Sequence, residues 1–122
     1  MKTCLLVEDS TTQRNIMKKL AESCGLEVIE ANDGLQGIEL CENSIPDLII
    51  LDMNMPNMGG LDFLKALSEM PKDFSPHIIV CSSTVNTDDI VKAVKFGADE
   101  YHCKSINIDN LRQKIMQTPG LE

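Results

Sequence analysis

The run Leu48-Ile49-Ile50-Leu51 narrows the possible folds more than any other stretch of the chain. Four consecutive large aliphatic residues are too few for a helix and too continuous for a strand with one face in water. They fit a strand covered on both faces, as in a parallel sheet. Asp52 follows at once, and Pro56, which has no amide proton to give to a ladder, ends any continuation. Taken alone, an Asp in that place is a turn former or a helix cap.

Comparable runs recur along the chain. Thr3 to Val7 ends in Glu8-Asp9, His77 to Cys81 opens into Ser82-Ser83-Thr84, and Leu26 to Ala31 and Glu100 to Cys103 read as further strands. Between them the period changes from two to nearly four. Ser10 with Gln13 forms a capping box for a helix carrying Ile16, Met17, Leu20 and Ala21, which Gly25 stops. Asn32-Asp33-Gly34 turns into a second helix with Leu35, Ile38, Leu40 and Cys41. Gly59-Gly60, giving backbone freedom, precedes a third with Leu61, Phe63, Leu64 and Leu67. Thr87 caps a fourth, whose first turn holds Asp88 and Asp89 and whose apolar positions are Ile90, Val91, Ala93, Val94 and Phe96. Ile108, Leu111, Ile115 and Met116 outline a fifth.

Five strands alternating with five helices predict an α/β fold, a doubly wound parallel sheet with helices on both faces. Its 122 residues make one domain, 1–122, long enough to bury a core without staples. The five cysteines form no C-x-x-C pair and point to a reduced, cytoplasmic setting. No run approaches the ~20 apolar residues of a membrane span. Nineteen acidic against eleven basic residues, a net charge of −8, oppose binding to nucleic acid and favour protein partners.

In such a sheet the chemistry gathers beyond the carboxyl ends of the strands. Glu8, Asp9, Asp52, Ser82 and Lys104 all fall at strand ends, so one edge collects residues distant in sequence. Three carboxylates there repel one another: either one stays protonated or a cation joins them. All-oxygen donors without histidine or thiolate favour magnesium. With a hydroxyl from Ser82 and an ammonium from Lys104, the set suits phosphoryl transfer onto an aspartate oxygen.

Four segments carry a family resemblance: Val7-Glu8-Asp9-Ser10 with Arg14, Leu51 to Leu61, Ile78 to Ser83, and Gly97 to Lys104. In this order and at these separations the chain resembles the receiver domain of two-component response regulators, of the stand-alone chemotaxis (CheY-like) type. The resemblance implies a flavodoxin-like sheet of order 2-1-3-4-5 and a single receiver domain with no output domain. It further implies that Asp52 accepts a phosphoryl group from a sensor histidine kinase or phosphotransfer protein. Asp9, Asp52 and the Asn54 main-chain carbonyl would ligate Mg2+, with Glu8 acting mostly through water, and Ser82 and Lys104 would grip the phosphoryl oxygens.

Movement of Ser82 would be coupled to inward rotation of Tyr101, remodelling the surface of the fourth helix, fifth strand and fifth helix for a downstream protein target. A monomer is expected, acting as a switch and not as an enzyme beyond its own phosphorylation and dephosphorylation. Ser105 stands where the family has a proline after the lysine, and a non-proline cis bond would cost about 2.5 to 4 kcal/mol. Gly59-Gly60 replaces the commoner Asp-Gly.

Plainer roles stand beside these. Glu8 and Asp9 could be helix-start acids, Lys104 a surface lysine, Ser82 a turn residue, and Tyr101 a half-buried strand residue. Thr84 would only tune access to the site. His77 and His102 lack metal-ligand spacing, and Met53, Met55, Met58 and Met70 read as packing residues. Competing functions are a phosphorelay intermediate or phosphate sink, a scaffold that works without phosphorylation, and a phosphoaspartate phosphohydrolase. The last would need an acid where Asn54 stands.

Overall fold

The computed structural model describes residues 2–55, 57–71, 76–83, 86–103 and 108–119. Five strands alternate with five helices: β1 (Thr3–Val7), α1 (Thr11–Ser23), β2 (Glu27–Ala31), α2 (Gly34–Asn43), β3 (Leu48–Asp52), α3 (Gly60–Ser68), β4 (His77–Ser82), α4 (Thr87–Lys95), β5 (Glu100–Cys103) and α5 (Ile108–Met116). The strands form one parallel sheet in the order β2-β1-β3-β4-β5. No helix among the described residues is long and apolar enough to cross a membrane.

Alternation along each strand divides the core in two. Leu5, Val7, Ile49, Leu51, Ile78 and Val80 pack with Phe63, Leu64, Leu67 and Ala93 from α3 and α4. Cys4, Leu6, Leu48, Ile50, Ile79 and Cys81 pack with Met17, Leu20 and Ala21 of α1 and with Leu111 and Ile115 of α5. All five residues of β3 are buried, as the uninterrupted run requires of a strand flanked by β1 and β4.

The helix ends follow local chemistry. Ser10 caps α1 by accepting from the Gln13 amide, and Gly25, at φ +85°, takes the chain out beyond Cys24. Asp33 caps α2 through the Gln36 amide. The cap of α4 is Asn86, whose side chain accepts from the amides of Asp88 and Asp89, and not Thr87, which is the first helical residue. Asn carries its acceptor to both amides from one position earlier, which leaves Thr87 free to enter the helix.

Several apolar residues assigned to helix faces lie outside the core. Ile16, Leu35, Val91, Val94 and Met116 are between 42% and 61% exposed. In α2 the buried stripe runs through Gly34, Gly37 and Cys41, because a Cβ on Gly37 would lie 2.8 Å from the Phe63 ring. The helix approaches too closely for large side chains, which are pushed to its flanks. Gly59 and Gly60 are likewise not there for backbone freedom. Gly59 sits at φ −69°, and positive φ among the described glycines is confined to Gly25 and Gly97. Gly60 answers a steric demand: a Cβ there would fall 2.7 Å from both Cα and Sδ of Met53.

Candidate functional site

Parallel register brings the strand ends to one level. Val7 pairs with Leu51, Asp52 with Cys81, and Ser82 with Cys103, so Glu8, Asp52 and Ser82 emerge side by side at the carboxyl edge. Glu8 is 1% exposed, Asp52 3% and Ser82 2%, whereas Asp9 is open to solvent. One carboxylate oxygen from each of Glu8, Asp9 and Asp52 lies within 4.8 Å of the others. At that spacing two ionised carboxylates repel by about 3 kcal/mol at an effective dielectric near 20, which a shared cation would reverse. The donors are all hard oxygens, two of them screened from water and one on the open side. That set suits magnesium and offers nothing to a softer metal.

The loops around this cluster are tied down by hydrogen bonds. The Glu8 amide donates to the Ala31 carbonyl (3.1 Å), extending the β1–β2 ladder by one rung, and the Ser10 amide donates to Glu8 Oε1 (3.2 Å). Arg14 donates from Nη1 to the Glu8 carbonyl (2.9 Å), while its Nε lies 3.3 Å from Glu30 Oε1. On the other side, the Met53 amide donates to the Cys81 carbonyl (3.1 Å) and the Asn54 amide to Asp52 Oδ1 (3.2 Å). The Asn54 side chain donates to Ser83 Oγ (3.3 Å), joining the ends of β3 and β4 across the mouth of the site.

Of the residues singled out in the sequence, Glu8, Asp9, Asp52, Asn54 and Ser82 are thus gathered at one edge. Tyr101 is half-buried on β5, with a buried hydroxyl that finds no hydrogen-bond partner among the described residues. Lys104, Ser105, Thr84 and Pro56 lie outside the described residues. His77 stands at the opposite end of the sheet, its Nδ1 3.6 Å from Asp99 Oδ2. His102 belongs to the β5–α5 face; burial holds its imidazole below the usual histidine range, against the opposing pull of Glu100 and with a smaller push from Lys114. Met53 is buried, and Met55, Met58 and Met70 pack against the core.

The supporting pair Arg14 and Glu30 escaped notice in the sequence. Arg14 was visible only as part of a motif, and Glu30 only as a polar residue on an outer strand. Their pairing depends on β2 lying beside β1, which spacing alone does not reveal.

Comparison with known proteins agrees with this geometry. The model of the response regulator receiver domain matches residues 4–116. The nitrate/nitrite response regulator protein NarL of Escherichia coli K12 is 41% identical over 122 residues, covering 98% of this chain and 56% of that protein. This chain therefore spans only about half the length of that relative. The chemotaxis protein CheY of Bacillus subtilis is 30% identical over 115 residues, covering 93% of this chain and 94% of that protein. Among solved structures, the Vibrio cholerae chemotaxis protein CheY4 superimposes with a TM-score of 0.88 at 25% identity, over 97% of this chain and 98% of that one. The strand order is also the one for which CheY is a standard example. With its sheet order, its acidic edge and this match over nearly all its length, the chain belongs to the response regulator receiver domain family of two-component signalling.

Proposed function

We propose that the chain is a single receiver unit, residues 1–122, and a phosphorylation-operated switch whose phosphoacceptor is Asp52. The convergence of Glu8, Asp9 and Asp52 within 4.8 Å at the carboxyl edge is the observation that carries this reading. Receiver domains accept phosphoryl groups from histidine kinases, and the donor here would be a phosphohistidine on such a kinase or on a phosphotransfer protein. An Asp52 carboxylate oxygen attacks the phosphorus. The new O–P bond forms as the P–N bond breaks, and the departing imidazole nitrogen takes a proton from solvent.

Magnesium, held by Asp9, Asp52 and the Asn54 carbonyl with Glu8 acting mostly through water, would supply the positive charge that offsets carboxylates and phosphoryl oxygens together. Asp52 is fixed by the buried strand beneath it, and its Oδ1 is oriented by the Asn54 amide. Ser82, one register step beyond Cys81, supplies a hydroxyl donor to the phosphoryl oxygens, and family resemblance assigns Lys104 their remaining charge. The output would be a changed α4-β5-α5 surface with Tyr101 as its moving part, read by a protein target. The chain performs no chemistry except on itself.

Incubation with magnesium and a small acyl phosphate should add one phosphate to the wild type by intact mass, and none to Asp52→Asn. An unlabelled wild type, or a label that persists in Asp52→Asn, would overturn the assignment.

A further inference from the structure

The connection between β3 and α3 is also anchored outside the acidic cluster, at the start of α2. Asn57 Nδ2 donates to Asp33 Oδ2 at 3.0 Å, while the other oxygen of the same carboxylate caps α2 by accepting from the Gln36 amide at 2.9 Å. Asn57 is the one non-glycine residue among those described with positive φ, at +67°. That left-handed turn is open to Asn more readily than to most side chains. Next to this contact the two segments touch backbone to backbone, since a Cβ on Gly34 would lie 2.8 Å from the Met58 carbonyl oxygen. The Asp33 carboxyl is held below the usual carboxylate range by the Gln36 amide first and the Asn57 amide second, as an accepting carboxylate should be.

The same connection is held at its other end by the Asn54 amide on Asp52 Oδ1, the Asn54 side chain on Ser83 Oγ, and the Gly60 amide on the Met53 carbonyl (3.0 Å). Its described residues, 53–55 and 57–59, are therefore slung between the sheet edge and the start of α2. Asn54, whose carbonyl is the proposed cation ligand, belongs to the anchor at the sheet edge, and Asn57 holds the same connection at the start of α2.

We propose that Asp33 and Asn57 are positioning residues of the acidic site, their side-chain bond holding the β3–α3 connection so that the Asn54 carbonyl and the Asp52 carboxylate serve one magnesium ion. This rests on the reading of the site as a magnesium-dependent phosphoacceptor. Neither residue touches the ion; both act through the backbone they restrain. Partners that orient metal ligands are typically worth 10- to 100-fold in affinity, and a solvent-exposed one should fall at or below the lower end of that range.

Two substitutions separate this role from simpler ones. Asp33→Ser keeps an N-cap acceptor but cannot reach Asn57, and Asn57→Gly keeps the left-handed backbone but removes the amide. Magnesium titration by calorimetry on the full chain should show the dissociation constant rising about three- to tenfold in each single variant. The double variant should be no worse than the weaker single. The exchanged pair Asp33→Asn with Asn57→Asp, which reverses the hydrogen bond and keeps a good cap, should recover most of the affinity. Melting temperatures alone would register a merely structural contact; a changed magnesium affinity with rescue by the exchanged pair would not follow from one. Wild-type affinity in both singles, or losses that add in the double, would overturn the proposal while leaving the magnesium site intact. A wild type that binds no magnesium would overturn that reading and this inference with it.

Discussion

Gly60→Ala tests whether the close approach of α3 to the end of β3 is a structural requirement. A methyl group there would lie 2.7 Å from the Met53 Cα, 2.7 Å from its Sδ and 3.1 Å from the Asp52 carbonyl oxygen. The thioether could swing aside, but the Cα belongs to a backbone that donates to Cys81 and accepts from Gly60, so either α3 or the end of β3 must move by several tenths of an ångström. Overpacking of this kind costs about 1–3 kcal/mol. For a domain of this size each kcal/mol lowers the melting temperature by about 4 °C, so a drop of about 8 °C is expected for a cost near 2 kcal/mol. Urea unfolding of Gly60→Ala beside Gly59→Ser is the measurement. Nothing lies within 4 Å of a Cβ at Gly59, which is the uncapped N-cap of α3, so the serine should be neutral or add roughly a few tenths of a kcal/mol. If Gly60→Ala falls within about 0.5 kcal/mol of the wild type, an amount typical of uninvolved surface sites, the steric reasoning is refuted.

Arg14→Lys keeps the charge but cannot reproduce the fork that reaches both the Glu8 carbonyl and Glu30; a loss of about 1 kcal/mol in urea unfolding and slower phosphorylation by a small acyl phosphate are expected. Burial pushes the Cys4 thiol up to about 12, with Cys24 adding to the effect, and the Cys41 thiol up to about 11. Folded pKa values raised above the ordinary thiol value of 9.0 mean that these groups contribute fully below pH 9 and that their contribution is lost as pH rises towards 11 and 12. Unfolding free energy measured between pH 8 and pH 10.5 should therefore fall, and fall less in a Cys4→Ala, Cys41→Ala variant.

Strand identity was written plainly in this sequence because each central strand is buried on both faces, and nothing except a short continuous apolar run satisfies that. Helix faces were less legible. Leu35, Val91 and Val94 match the helical period as well as Phe63 or Ala93 do, and only the face each helix turns to the sheet decides which of them is covered. Gly37 shows the converse, a residue with no hydropathy signal that sits in a close contact of its helix with the Phe63 ring. At the site, the carboxylates could be found because strand order alone puts Glu8, Asp9 and Asp52 on one edge. The residues that brace them could not. Glu30 meets Arg14, and Asp33 meets Asn57, across separations that carry no periodicity, and each pair exists only because particular elements lie next to one another.

The burial of β3 has a mechanical meaning. A strand laddered along both of its edges, with every residue from Leu48 to Asp52 out of water, is among the last parts of a sheet to yield. Asp52 is thus set on an anvil. The strand beneath its carboxylate is the firm part of the site, and the more open residues Asp9, Ser10, Asn54 and Ser83 form its rim. On the proposed reading, that stiffness leaves a change of charge at an Asp52 oxygen to be absorbed by the more open residues of the rim.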